Sequence, residues 1–182
     1  MPTHISLLRG INVSGQKTIR MADLKNLYDA LGFSDVRTYV QSGNVVFAAA
    51  NPDPAALAAS IEAHIRQTFG FDVSVFIRSA QDFQGLLKAN PFLNGRSEDP
   101  AKLHVTFVYA PPAATRLSAL EKPAAGNDEF LVAGREIFLF CPDGYGRTKL
   151  SNTFFEKKLG VPATTRNWNT INALLQMAQA AL

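Results

Sequence analysis

Val36-Arg37-Thr38-Tyr39-Val40-Gln41-Ser42-Gly43-Asn44-Val45-Val46-Phe47-Ala48 is the stretch on which the fold turns. Val36, Thr38 and Val40 alternate with Arg37, Tyr39 and Gln41, the period of a half-buried strand. Ser42-Gly43 supplies a tight turn, and Asn44 to Ala48 returns as the hairpin partner. The alternation places Val36, Thr38 and Val40 toward helices and Arg37, Tyr39 and Gln41 toward an open sheet face.

A helix brackets the hairpin on each side. Upstream, Leu24, Leu27, Tyr28 and Leu31 recur at helical spacing and Gly32 stops the run. Downstream, Asp53-Pro54 reads as a cap with proline at the first helical position. Leu57, Ile61, Ile65 and Phe69 follow, and Gly70 closes the helix. Ile5 to Leu8 and Val73, Val75, Ile77 supply the first and fourth strands, so the order is βαββαβ, followed by a helix through Phe83, Leu86 and Leu87.

The second half repeats the order. Leu103 to Tyr109 alternates as a strand, and Pro111-Pro112 opens a helix through Leu117 and Leu120. Phe130 to Val132 and Ile137 to Phe140 flank Ala133-Gly134 as a second hairpin. A helix ending at Gly160, an extended piece near Thr164 and a last helix through Ile171, Leu174, Leu175 and Ala178 complete it. Laid tail over tail, Arg78 meets Arg166, Phe83 meets Ile171, and Leu86-Leu87 meets Leu174-Leu175. The expected fold class is α+β: two ferredoxin-like (βαββαβ) plaits with antiparallel sheets, each with an appended helix. The expected division is residues 1–79 for the first plait and 80–182 for the connecting helix, second plait and C-terminal helix.

Composition limits the function classes. The chain has 182 residues, 47% hydrophobic and 18% charged, enough apolar content for a sizeable core and too much for disorder. A formal charge of +3 permits a phosphate-bearing partner without resembling a nucleic-acid arm. The one cysteine, Cys141, has no partner for an intrachain disulfide, and it reads as a small buried hydrophobe. No uncharged apolar run approaches the roughly 18 residues of a membrane span, and the start of the chain does not read as a signal peptide. A cytoplasmic location is the expectation, with no membrane partner.

Four segments carry polar chemistry. The loop from Leu8 to Lys17 places two glycines between Arg9 and Lys17, with Asn12 inside it, and matches neither dinucleotide nor Walker spacing. The hairpin turn brings Gln41, Ser42 and Asn44. Gly144 to Ser151, with Arg147 and Lys149, precedes a helix whose free N–H groups favour an anion. Arg166, Asn167, Trp168 and Asn169 open the last helix. There Arg166 is suited to a two-bond grip on a phosphate or carboxylate, one from its own chain included. His4, His64 and His104 have no metal-ligand spacing, and alternation sets His104 on an exposed face. Asp128-Glu129 reads as a solvated turn. No nucleophile is placed beside a base.

Leu7 to Val13, Thr38 to Phe47 and Thr164 to Thr170 resemble, in order, motifs of the bacterial family called domain of unknown function 1697. The resemblance implies a compact α+β protein of two ferredoxin-like plaits, and it implies no activity. Ser14 stands where the family usually has a second glycine, and Thr148 where it usually has serine. The functional expectation is a binding protein for a phosphate-bearing or otherwise anionic ligand, a nucleotide or nucleic acid. Its site would gather Arg9, Asn12, Lys17, Gln41, Ser42, Asn44, Arg147, Lys149, Arg166, Asn167, Trp168 and Asn169 in a cleft between the plaits, with no metal and no cofactor. The alternatives are an enzyme acting on a small phosphorylated or acyl substrate, and a non-catalytic protein-interaction module.

Overall fold

The computed structural model describes residues 1–124 and 126–180. The chain divides into two compact units, Met1–Gly85 with the chain from Ala173 onward, and Leu86–Asn172.

In the first unit, β1 (Thr3–Leu8), β2 (Ser34–Tyr39), β3 (Asn44–Ala48) and β4 (Val75–Ser79) form one antiparallel sheet in the order β2-β3-β1-β4. Helices α1 (Met21–Ala30) and α2 (Pro54–Phe69) intervene, and α3 (Ala80–Ala89) follows. The ends of α2 obey local chemistry. The Asp53 carboxylate accepts from the Ala55 amide, and Gly70 takes the left-handed C-cap at φ 82°. Directly paired residues of antiparallel strands share a face. Leu8, Val45, Phe47, Val75 and Ile77 thus form one side of the sheet, packed with Leu24, Leu27 and Tyr28 of α1 and Leu57, Ile61 and Ile65 of α2.

The second unit has the same order of elements. Its strands are β5 (Leu103–Val108), β6 (Glu129–Ala133), β7 (Glu136–Phe140) and β8 (Ala163–Asn167), all antiparallel, arranged β6-β7-β5-β8. Its helices are α4 (Ala114–Ser118), α5 (Asn152–Leu159) and α6 (Trp168–Gln179). Val108, Ile137, Leu139 and Ala163 of the sheet pack with Phe155 and Leu159 of α5. Helix α4 is only five residues and stops before Leu120, which nonetheless packs on this core from the following loop. Helices α3 and α6 each straddle the division of the chain.

The two units agree residue by residue along β1 and β5 and around the buried arginine of β4 and β8. His4, Ile5, Ser6, Leu7 and Leu8 correspond to His104, Val105, Thr106, Phe107 and Val108. Arg78 lies opposite Ile5 as Arg166 lies opposite Val105. Each arginine is buried and donates Nη1 to the carbonyl of the residue before it, Ile77 or Thr165. The next residue caps the helix that follows: Ser79 Oγ accepts from the Asp82 amide, and Asn167 Oδ1 from Thr170.

The hairpin departs from strict alternation. Val40 leaves the strand at φ 49° and is 51% exposed rather than facing the helices. A register shift between Ser34 and Arg37, with Asp35 at φ 52°, marks a bulge in β2. The face expected to be open is also covered. Ile5, Leu7, Val46 and Phe76 on it are buried, and Arg37 donates to the Met177 carbonyl at the end of α6, 2.6 Å away. That helix has no basic residue in its last turn, so Arg37 supplies the cation its carbonyl end favours.

Candidate functional site

The β1–α1 loop and the β2–β3 turn meet at one end of the first sheet, where the side-chain amide of Asn12 joins them. Asn12 Nδ2 donates to the Ile19 carbonyl at 2.9 Å and to the Gln41 carbonyl at 2.8 Å, while its Oδ1 accepts from the Ile19 amide at 2.9 Å. Within the loop, Val13 and Gln16 bridge across Ser14 and Gly15, both at positive φ, as a miniature hairpin. Lys17 Nζ donates to the Asp72 carbonyl at 2.7 Å. Asn44 is fully buried and donates to the Tyr39 carbonyl and to Ser42 Oγ. Thus Asn12, Lys17, Ser42 and Asn44 shape this corner through their side chains. Arg9 is half-buried at the loop's start, and Gln41 is exposed at the turn.

In the second unit, Arg147 and Lys149 line an open hollow of about 330 Å³ with Gly126, Asn127, Asp128 and Asp143. Its wall is a 3-10 turn, Tyr145–Arg147, preceded by Gly144 at φ 91°. Thr148 Oγ1 donates to Asp128 Oδ2 at 2.6 Å and accepts from the Leu150 amide at 3.0 Å, pinning the turn to the strand that enters the second hairpin. Arg147 and Lys149 are exposed, and among the described residues their side chains have no ion-pair or hydrogen-bond partner. Asp128 is spent on Thr148, and Asp143 has only a 3.5 Å contact from the Asn127 amide. Helix α5 begins after this turn, at Asn152, and Ser151 Oγ already accepts from its Phe154 amide. Its N-terminus is therefore partly satisfied, and the cations of the hollow stand before it.

Arg166 is buried on β8. Its Nη1 donates to Thr164 Oγ1 at 2.8 Å and to the Thr165 carbonyl at 3.0 Å. Burial pushes the guanidinium down to about 10, against an opposing pull from Tyr145, so it stays charged at neutral pH. Asn167 caps α6, Trp168 is buried and accepts through its carbonyl from Asn172, and Asn169 is exposed.

His104 is buried rather than exposed, stacked on Tyr145 with centroids 4.6 Å apart. His104 pairs with Leu139 and so lies on the helix-packed face of the sheet, where Tyr145 of the 3-10 turn covers it. Desolvation lowers the pKa of both His104 and its counterpart His4. Cys141 is buried, and desolvation raises its thiol to about 11. Asn127 and Asp143 escaped the sequence reading because they lie on two connections that only the second hairpin brings together, and Asp128-Glu129, expected as a solvated turn, is instead engaged by Thr148 and Arg96. The likeness of β1 to β5, by contrast, stands in plain sequence at a constant offset.

Among the described residues no cluster of histidine, cysteine and carboxylates is arranged to hold a metal, and no helix is long and apolar enough to cross a membrane. No curated protein matches the chain. A solved structure described as the conserved bacterial protein SP0830 from Streptococcus pneumoniae is similar, at 25% identity and a TM-score of 0.76, over 97% of this chain and 98% of that one. Residues 1–138 match the family described as "Protein of unknown function (DUF1697)", and the third of the quoted motifs lies beyond the matched span. With three-quarters of its length inside that match, this chain belongs to the DUF1697 family.

Proposed function

We propose that the protein binds a phosphate-bearing or otherwise anionic small molecule, of nucleotide size, in the hollow of the second unit. The observation that carries this reading is the pair Arg147 and Lys149, two exposed cations that line one concavity and have no side-chain partner among the described residues. A hollow near 330 Å³ falls at the small end of ligand sites. The side chains of Asp143 and Asn127, which also line it, suit ribose hydroxyls or amino groups, which donate where a phosphate cannot. A buried free thiol at Cys141 favours a reducing, cytoplasmic setting. As the frame for the site, we read each unit as a ferredoxin-like plait. The βαββαβ order and the sheet orders β2-β3-β1-β4 and β6-β7-β5-β8 support that reading.

The test is titration calorimetry with a nucleoside monophosphate, inorganic phosphate and a short single-stranded RNA across a salt series. Each charge-assisted contact contributes about 1.5 kcal/mol at a wet site, so Arg147→Ala and Lys149→Ala should each weaken binding about tenfold. Absence of binding at millimolar ligand, or affinity unchanged in both variants, removes the proposal.

A further inference from the structure

We propose that the hollow of the second unit selects a zwitterion, a small phosphate ester that also carries an ammonium group, and that Asp143 reads the ammonium. This rests on the phosphate reading of the same hollow and adds the second charge of the ligand. The case begins with the lining. Arg147 and Lys149 share it with two carboxylates, Asp128 and Asp143, so the wall carries no net charge. No ion pair joins these acids to these bases, and among the described residues none of the four has an ion-pair partner elsewhere. Opposite charges that converge on one concavity and stay apart suit a ligand that holds its own charges apart.

The backbone holds that separation. Asp143 is the third residue of a β-turn from Cys141 to Gly144, with Pro142 second, closed by the Gly144 amide donating to the Cys141 carbonyl at 3.0 Å. Arg147 and Lys149 flank Thr148, whose amide donates to the Tyr145 carbonyl at 3.2 Å and whose hydroxyl donates to Asp128 at 2.6 Å. The two carboxylates differ in what they have left to offer. Asp128 already accepts from Thr148. Asp143 is exposed, and its 3.5 Å contact from Asn127 is longer than a good hydrogen bond. A ligand ammonium therefore goes to Asp143 while the phosphate goes to Arg147 and Lys149. The same carboxylates select against a polyphosphate or a nucleic-acid strand, whose further charges find no further cation on the wall.

Titration calorimetry of the full chain at pH 7 compares glucosamine 6-phosphate with glucose 6-phosphate, which differ only in an ammonium for a hydroxyl. The amino sugar should bind about tenfold tighter, the effect of one charge-assisted contact. Asp143→Asn should weaken glucosamine 6-phosphate about tenfold and leave glucose 6-phosphate no weaker, a split that a general loss of structure cannot produce. Asp143→Glu should keep the preference, and Arg147→Ala should weaken both sugars alike. Equal affinity for the two sugars overturns the proposal and leaves the phosphate site standing. So does a preference that survives Asp143→Asn, or tighter binding of pyrophosphate than of glucosamine 6-phosphate. Binding of inorganic phosphate but of neither sugar overturns it in the same way. Binding of none of these ligands removes the phosphate site itself, and the selectivity with it.

Discussion

Replacing Gly43 by alanine tests how the first unit's corner is built. Gly43 sits at φ 80°, and a Cβ there would lie 2.7 Å from Leu8 Cβ and 2.8 Å from Ile11 Cδ1. Leu8 Cβ cannot swing away, because it is bonded to a backbone that the Leu8 amide ties to the Gly43 carbonyl at 2.8 Å. Ile11 is itself buried. Two costs add: about 1–2 kcal/mol for a left-handed L-residue and about 1–3 kcal/mol for overpacking. Gly43→Ala should therefore lose about 2–5 kcal/mol. Gly10→Ala is the control in the same corner, with φ 71° and no atom within 4 Å of the added Cβ, and should lose only about 1–2 kcal/mol. Gly160→Ala is a second control. Its added Cβ meets only the end of the Arg116 side chain at 3.1 Å, which moves aside, so it too should show the backbone cost alone. The assay is urea unfolding by far-ultraviolet circular dichroism, with amide exchange in β1 and β3 to locate the loss. If Gly43→Ala falls within about 0.5 kcal/mol of Gly10→Ala, the close approach of turn and strand is not the reason for glycine.

Desolvation lowers both His4 and His104 from 6.5, so below that pH the unfolded chain takes up protons that the folded chain refuses. The stability they contribute is fully present above pH 6.5 and is lost as pH falls below it; the urea midpoint should drop on acidification, and less steeply in His104→Phe. Cys141, with its thiol raised to about 11, should react with a thiol reagent near pH 8 no faster than the chain unfolds, and quickly in urea. Asp53→Ala and Ser151→Ala each remove a side-chain acceptor from a helix N-terminus and should cost about 1 kcal/mol apiece by urea titration. An unchanged midpoint in either would mean water caps that helix equally well.

The order of elements was legible because the signals that set it are local. Alternation from Leu103 to Val108 and the Asp53-Pro54 start of α2 act within a few residues, and Gly70 and Gly160 stop their helices at the predicted places. The likeness of the two halves was legible too, down to Arg78 and Arg166. The hairpin's end was not. Val40 turns outward at positive φ, next to the Gln41 carbonyl that Asn12 grips from twenty-nine residues before it in the chain. Nor was the fate of the polar residues. Asn12 and Asn44 have the composition of ligand groups and spend their amides on the chain's own carbonyls.

What the amino-acid order determined was the run of strands, helices and stops, since propensity, capping and periodicity need only near neighbours. Tertiary structure alone decided which polar groups are occupied. A side chain's hydrogen bonds are settled by what other segments bring to it. That is why Asn12 is spent on the Gln41 carbonyl and Thr148 on Asp128, while Arg147 and Lys149 remain exposed on the hollow.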